Sequence, residues 1–394
     1  MNKVIAKETR IPIKLWLDDM EEGALEQAKN LANLPFAFHH VAIMPDAHFG
    51  FGMPIGGVLA TESVVIPNAV GKDIGCGMCA VKTSLSEIDK DTLKKIMCEI
   101  RKVIPLGFNH HKDKQDAKLM PHIPVHCELP IVEREYQKAL YSLGSLGSGN
   151  HFCEIQRGND GCIWIMLHSG SRNLGLQVAD HYNKLAVEFN EQWHSLVPKE
   201  HQLAFLPLDS SIGQAYLAEM NYCVEYALAN RKLMMERIVN IIRCVLLEKR
   251  EIPLQFEPMI NIAHNYATME NHFGKNVMVH RKGATLARTD TIGIIPGSQG
   301  TKSYIVRGKG NLESFMSCSH GAGRAMSRTK AIATLSLEAE TKLLDDQGII
   351  HGIRNQKDLD EAAGSYKDIT TVMKNQQDLV EILVELTPLA VIKG

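Results

Sequence analysis

No apolar run in the 394-residue chain approaches the roughly 20 residues needed to span a bilayer. The opening residues, Met1-Asn-Lys-Val-Ile-Ala-Lys-Glu8, contain no signal-peptide core. The nine cysteines are odd in number and scattered without a repeated spacing, unlike a disulfide framework. No linker, low-complexity segment or internal repeat interrupts the sequence. These absences predict a reduced, cytoplasmic protein without a membrane partner, folded as one domain over residues 1–394.

Apolar residues make up 45% of the chain and charged residues 22%, the composition of an ordinary globular protein with a sizeable core. The net charge of −2 gives no global sign of nucleic acid, but charge is unevenly placed. Ten basic and two acidic residues between Lys275 and Lys330 give that segment +8, leaving −10 for the rest. Such a block suits phosphates of a nucleotide or an RNA backbone. A solvated face with chance clustering has the same composition, but glycine-rich turns interleave these cations.

The periodicity predicts an α/β protein of the α+β type, with mixed sheets flanked by helices. Helices are expected at 16–34, 87–104, 174–194, 213–248 and 369–386. The long helix at 213–248 should bury Leu217, Met220, Val224, Ala227, Met234, Ile238, Ile241 and Val245, stopping before Pro253. Strands are expected at 40–45, 79–83, 162–167, 276–280, 291–296, 303–307 and 389–394. Residues 105–128 hold His110, His111, His122 and His126 without a usable period, and read as a surface loop without a role.

The chemistry gathers in glycine-rich loops. In Val70-Gly-Lys-Asp-Ile-Gly-Cys-Gly-Met78 a carboxylate, Asp73, and a thiol, Cys76, can turn toward one centre. A hard oxygen with a soft sulfur suits a transition metal. Alone, that loop also reads as a glycine turn with a buried cysteine. His151, His168 and His264 stand in comparable loop contexts, His168 where a buried strand opens into Ser169-Gly-Ser-Arg172. Five donors exceed the four of a closed zinc site, and a bridging thiolate would allow two ions. Each histidine alone is more often a core residue than a ligand, and the five share no local spacing rule. His320 is flanked by Gly321 and Gly323, with Arg324 and Arg328 beyond, a setting for a nucleophilic imidazole beside a bound phosphate. Pro296-Gly-Ser-Gln-Gly300 could form a second wall. Ordinary turns between strands would look the same.

Six motifs then resemble one family. Val70–Met78, Gly149-Asn-His-Phe152, Leu167-His-Ser-Gly-Ser-Arg172, His264-Asn265, Pro296-Gly-Ser298 and Ser319-His-Gly-Ala-Gly-Arg324 occur in the order of the RtcB family of RNA-splicing ligases. Met44-Pro-Asp-Ala-His48 is similar to that family's N-terminal signature. The resemblance runs from about residue 10 to Lys393 and implies an RtcB-like fold. It also implies a GTP- and manganese-dependent ligase (two Mn2+ ions). Such an enzyme joins an RNA 3′-phosphate, or a 2′,3′-cyclic phosphate opened first, to a 5′-hydroxyl in RNA repair or splicing.

By the same resemblance, Asp73, Cys76 and His151 would hold one ion, and Cys76, His168 and His264 the other. His320 would become guanylylated, GMP would pass to the RNA 3′-phosphate, and the 5′-hydroxyl would displace it. Asn150, His151, Phe152, Cys153 and Glu154 match guanosine-nucleotide contacts. So do His264, Asn265, Pro296, Gly297, Ser298 and Gln299, and so do Ser303, His320, Gly321, Ala322, Gly323 and Lys393. Gln299 departs from the methionine common in the family, Ala263 replaces a second histidine of several members, and 105–145 matches poorly. Asp/Cys/His ligation alone equally permits zinc, iron or cobalt. A monomer is expected, with the need for an activating protein partner open. Two rivals are a two-metal cyclic phosphodiesterase, which would not require His320 or Lys393, and a silent RNA-binding factor.

Overall fold

Alternation along the buried strands builds two large sheets, accompanied by two two-stranded ones. The computed structural model describes residues 1–123, 128–247 and 254–394. A six-stranded sheet runs in the order Lys3–Ile5, Ile13–Leu15, Ala37–His48, Ile55–Thr61, Lys275–Lys282 and Asn265–His272. A seven-stranded sheet runs Ile260–Ala263, Gly77–Lys82, Ile163–Ser169, Phe152–Gly158, Val380–Lys393, Ser303–Gly308 and Ile292–Ile295. Ile13–Leu15 pairs in parallel with Ala37–His48, whereas the neighbouring pairs are antiparallel, so the fold is α+β.

The seven-stranded sheet is covered on both faces. In Ile163–Ser169, Ile163, Ile165 and Leu167 point toward Met234 and Ile238 of the helix Ser211–Leu247. Trp164 and Met166 point the other way, toward Met78, Ile294 and Leu386. Burial on both sides explains why this strand reads as one continuous apolar run. The period of two then puts His168 on the Trp164/Met166 face.

Several sequence expectations shift. The helix expected at 16–34 is Glu22–Ala32, because Trp16 and Leu17 are buried in the core rather than on a surface face. In the long helix Met220, Ala227, Met234, Ile238 and Val245 are buried, while Leu217, Val224 and Ile241 are half-buried. Its expected stop near 248 and Pro253, like His126, lies outside the described residues.

The helix expected at 369–386 ends at Asn375, and Val380–Lys393 is a 14-residue strand. Pairing on both sides, with Phe152–Gly158 and Ser303–Gly308, overrides the local helical spacing of Leu379, Leu383 and Leu386. Pro388, which lacks an N–H, sits where the register shifts. Helices Pro130–Ser142, Arg328–Thr334 and Leu337–Asp346 were not expected. The first buries Glu135 within its apolar stripe, and the other two bury only Ala331 and Leu344, so none shows a clean period.

Candidate active site

Antiparallel register brings four strand ends level at one end of the seven-stranded sheet. Met78 and Phe152 both pair with His168, and Gly77 pairs with Ala263. Cys76, His151, His168 and His264 therefore converge although 188 positions separate the first from the last. Asp73 reaches the group through a turn in which Cys76 N donates to Asp73 O at 3.1 Å and Gly75 adopts φ 74°. Gly77 faces the Ile262 carbonyl so closely that a Cβ would lie 1.9 Å from that oxygen.

Two groups of three share one atom. Cys76, His168 and His264 have donor atoms within 4.8 Å of one another, and so do Asp73, Cys76 and His151. Cys76 Sγ lies 3.2 Å from His168 Nε2 and 3.4 Å from His151 Nε2. His151 Nε2 is 3.1 Å from Asp73 Oδ2, and His168 Nε2 is 3.3 Å from His264 Nε2. His168 Nδ1 faces the Asn150 carbonyl at 3.0 Å. A carbonyl only accepts, so the ring proton is on Nδ1 and Nε2 presents a bare lone pair to the cluster.

Electrostatics fit a cation at this point. Burial, then the Asp73 charge, pushes the Cys76 thiol well up, while burial holds His168 and His264 well below the usual imidazole range. Desolvation opposes ionisation of Asp73, but the hydrogen bond and charge of His151, with Cys76 and His168 beside it, together outweigh that and set the carboxyl at about 2. A metal ion would convert the thiol to thiolate and take the neutral imidazoles as they stand. The donor set is thus a possible metal-binding site, and its soft sulfur and nitrogens suit a transition metal.

The loops are held from below by the long helix. Arg231, fully buried, donates from Nη1 to Gly75 O at 3.0 Å and Ser169 O at 2.8 Å, and from Nε to Asn261 Oδ1 at 2.7 Å. Its neighbour Asn230 accepts from Gly144 N and donates to Gly170 O. Asn265 Oδ1 accepts from Gly283 N at 2.7 Å and its Nδ2 donates to Asp73 O at 3.0 Å, so this side chain clasps the metal loop.

His320 follows the strand Ser317–Ser319, and its ring centre lies 4.8 Å from that of His264. Its Nδ1 is 2.6 Å from Oδ2 of the fully buried Asp46, which also accepts the backbone N–H groups of His320 and Gly321. Burial resists charge on Asp46, but the His320 ring holds its carboxyl below the usual range. Nε2 is left as the free ring nitrogen. Gly323, at φ 74°, permits the close pass, since a Cβ there would sit 2.0 Å from Asp46 O.

A cleft of about 570 Å³ opens over His320, with Asn150, Phe152, Pro296, Gly297 and the Gly321–Gly323 turn in its walls. Ala322 is part of that turn. A narrow recess beyond Gly297 is lined by Glu154, Ser298, Gln299, Glu361 and Lys393. Burial raises Glu154 to about 8, opposed by Lys393, whose own ammonium burial lowers. Ser303 stands behind, its Oγ accepting from Gly297 N. Cys153 does not join them, because its side chain packs on the opposite sheet face with Cys79 and Leu167.

The basic segment is less open than its net charge implies. Lys275, Arg281, Arg288, Lys302, Arg307, Arg324 and Arg328 each pair with a carboxylate, mostly from outside the segment. Glu361 alone takes Arg324, Arg328 and the Tyr366 hydroxyl. Asp46, Arg231, Asn230 and Glu361 were not singled out from the sequence. Asp46 lies inside the Met44–His48 signature, which carried its signal.

Among the described residues no helix is long and apolar enough to cross a membrane. Residues 27–126 and 122–394 match the family model described as tRNA-splicing ligase RtcB. The chain is 38% identical to the RNA-splicing ligase RtcB of Escherichia coli strain K12, with all of both chains covered. It is 32% identical to the tRNA-splicing ligase RtcB of Methanococcus maripaludis, covering 98% of this chain and 95% of that one. It is 31% identical to the RNA-splicing ligase RtcB of Mycobacterium tuberculosis, covering 93% of this chain and all of that one. With strand ends, shared thiol and buried Asp46–His320 pair set in the motifs that carry this match, the chain belongs to the RtcB family.

Proposed function

We propose that the chain is an RNA ligase that uses GTP and two Mn2+ ions. It joins RNA 3′-phosphate or 2′,3′-cyclic phosphate ends to 5′-hydroxyl ends, as one ligase domain over residues 1–394. The observation that carries this reading is a single thiol, Cys76, shared between two donor triads beside a carboxylate-held histidine. Asp73, Cys76 and His151 would hold one ion, and Cys76, His168 and His264 the other. Ions bound there would neutralise charge on phosphoryl oxygens.

Asp46 keeps the His320 proton on Nδ1, so Nε2 attacks the α-phosphorus of GTP while pyrophosphate leaves. The Gly321–Gly323 turn and Pro296–Gly297 wall position the phosphates, and Glu154, Ser298, Gln299 and Lys393 face the guanosine. His320 then releases GMP to the RNA 3′-phosphate, forming a 3′-pyrophosphate-linked guanosine. The 5′-hydroxyl attacks the RNA-side phosphorus, GMP leaves, and a 3′,5′-phosphodiester remains. Activation supplies the leaving group that a phosphate monoester lacks. The enzyme acts as a cytoplasmic monomer on RNA in repair or splicing.

Purified protein incubated with α-phosphate-labelled GTP and Mn2+ should yield an acid-labile labelled band on a denaturing gel. His320→Ala and Cys76→Ala should give none. A folded, nucleotide-binding wild type that never becomes labelled would sink the ligase mechanism.

A further inference from the structure

Phe49 and Phe51 stand two residues apart in the turn leaving the strand Ala37–His48, and both line the cleft that holds His320. They are 57% and 60% exposed. Single exposed apolar side chains are ordinary on a protein surface, but two phenyl rings at the mouth of one reactive cleft are a concentrated apolar surface. The backbone beneath them is held firmly. Gln27 donates to Gly50 O at 2.6 Å and accepts from Gly50 N at 3.1 Å, and Lys282 Nζ donates to Phe51 O at 2.6 Å. The Phe49 ring covers Gly23, where a Cβ would come within 3.0 Å of Cδ2. Lys72 Nζ lies 5.9 Å from the Phe51 ring centre, while also paired with Asp180. The backbone that carries the rings is thus held in place, and both rings stay more than half exposed where they line the cleft.

We propose that Phe49 and Phe51 form a stacking platform for the terminal nucleobase of the RNA end that is brought to His320. This rests on the RNA-ligase reading of the same cleft. A phenyl ring takes the π-face of any base and ignores its hydrogen-bonding edge, so the platform positions an end without selecting its sequence. The rings are positioning groups, one wall away from the Glu154–Lys393 recess assigned to guanosine.

The test uses the full chain with Mn2+ and short RNAs carrying 2-aminopurine at the 3′-phosphate end or at the 5′-hydroxyl end, with abasic counterparts. Wild type should quench one of the two labels, which identifies the end bound, and should bind the matching abasic RNA about 5- to 150-fold more weakly. Phe49→Ala and Phe51→Ala should lose the quench and that affinity difference, and Phe51→Tyr should restore both. Equal binding of intact and abasic RNA, or no quench at either end, would overturn the platform. Alanine variants that lose GTP binding while keeping the RNA quench would assign the rings to guanine and overturn it too. Wild type that becomes guanylylated without quenching removes the platform alone, whereas wild type that is never guanylylated removes the ligase reading beneath it.

Discussion

Asp46 Oδ2 accepts three N–H groups at once, the His320 ring at 2.6 Å and the His320 and Gly321 backbones at 3.0 and 3.2 Å. One oxygen therefore fixes both the tautomer of the ring and the turn that faces the cleft. Asp46→Asn keeps the shape but can turn its amide toward Nδ1, which moves the ring proton to Nε2. Labelling of His320 by GTP should fall by about 10²- to 10⁴-fold with nucleotide affinity unchanged. Single-turnover labelling beside equilibrium GTP binding separates the two effects, and an unchanged labelling rate would refute the role of Asp46.

The shared thiol has a stoichiometric signature. His264→Ala should leave one Mn2+ per chain, and so should His151→Ala, because each removes a donor from one triad only. Cys76→Ala should lose both ions. Metal content after dialysis gives the three numbers directly, and a Cys76→Ala protein that retains two ions would exclude bridging.

Arg231→Met removes the buried donor that the Gly75 and Ser169 carbonyls share. Each such loss costs about 1–3 kcal/mol, so destabilisation of about 2 kcal/mol or more is expected. The urea midpoint reports it. A variant as stable as wild type would show that these carbonyls find water instead.

Burial lowers the Lys282 ammonium to about 7 from its usual 10.5. Between those values the unfolded chain binds more protons than the folded one, so stability rises with pH through that window. The penalty is full below pH 7 and gone above 10.5. Relative to Lys282→Met, wild type should gain stability as pH rises from about 7 to about 10, measured by urea unfolding at several pH values. A pH-independent difference would place the charge of Lys282 in solvent contact.

How legible each part was depended on where its cause lies. His168 was readable because a run buried on both faces ends at it, and Cys76 with Asp73 because glycines mark a loop. That these donors face one another was not, since the antiparallel register that levels Gly77, Phe152, His168 and Ala263 is long-range. Asp46 hid in an apolar strand, where a single carboxylate gives no period. The strand Val380–Lys393 was misread in its first half because Leu379, Leu383 and Leu386 repeat at helical spacing, and only distant partners decide against a helix. Lys393 was nonetheless assigned to the nucleotide side, on resemblance rather than pattern.

That same strand ties two parts of the cleft together. It lies between Phe152–Gly158, beside the metal triads, and Ser303–Gly308, beside the nucleotide wall. The triads themselves need only the strands on one side of it, because Gly77, Phe152, His168 and Ala263 are levelled by direct pairing. Local opening of this one strand would therefore part the nucleotide wall from the donors while leaving the donors assembled.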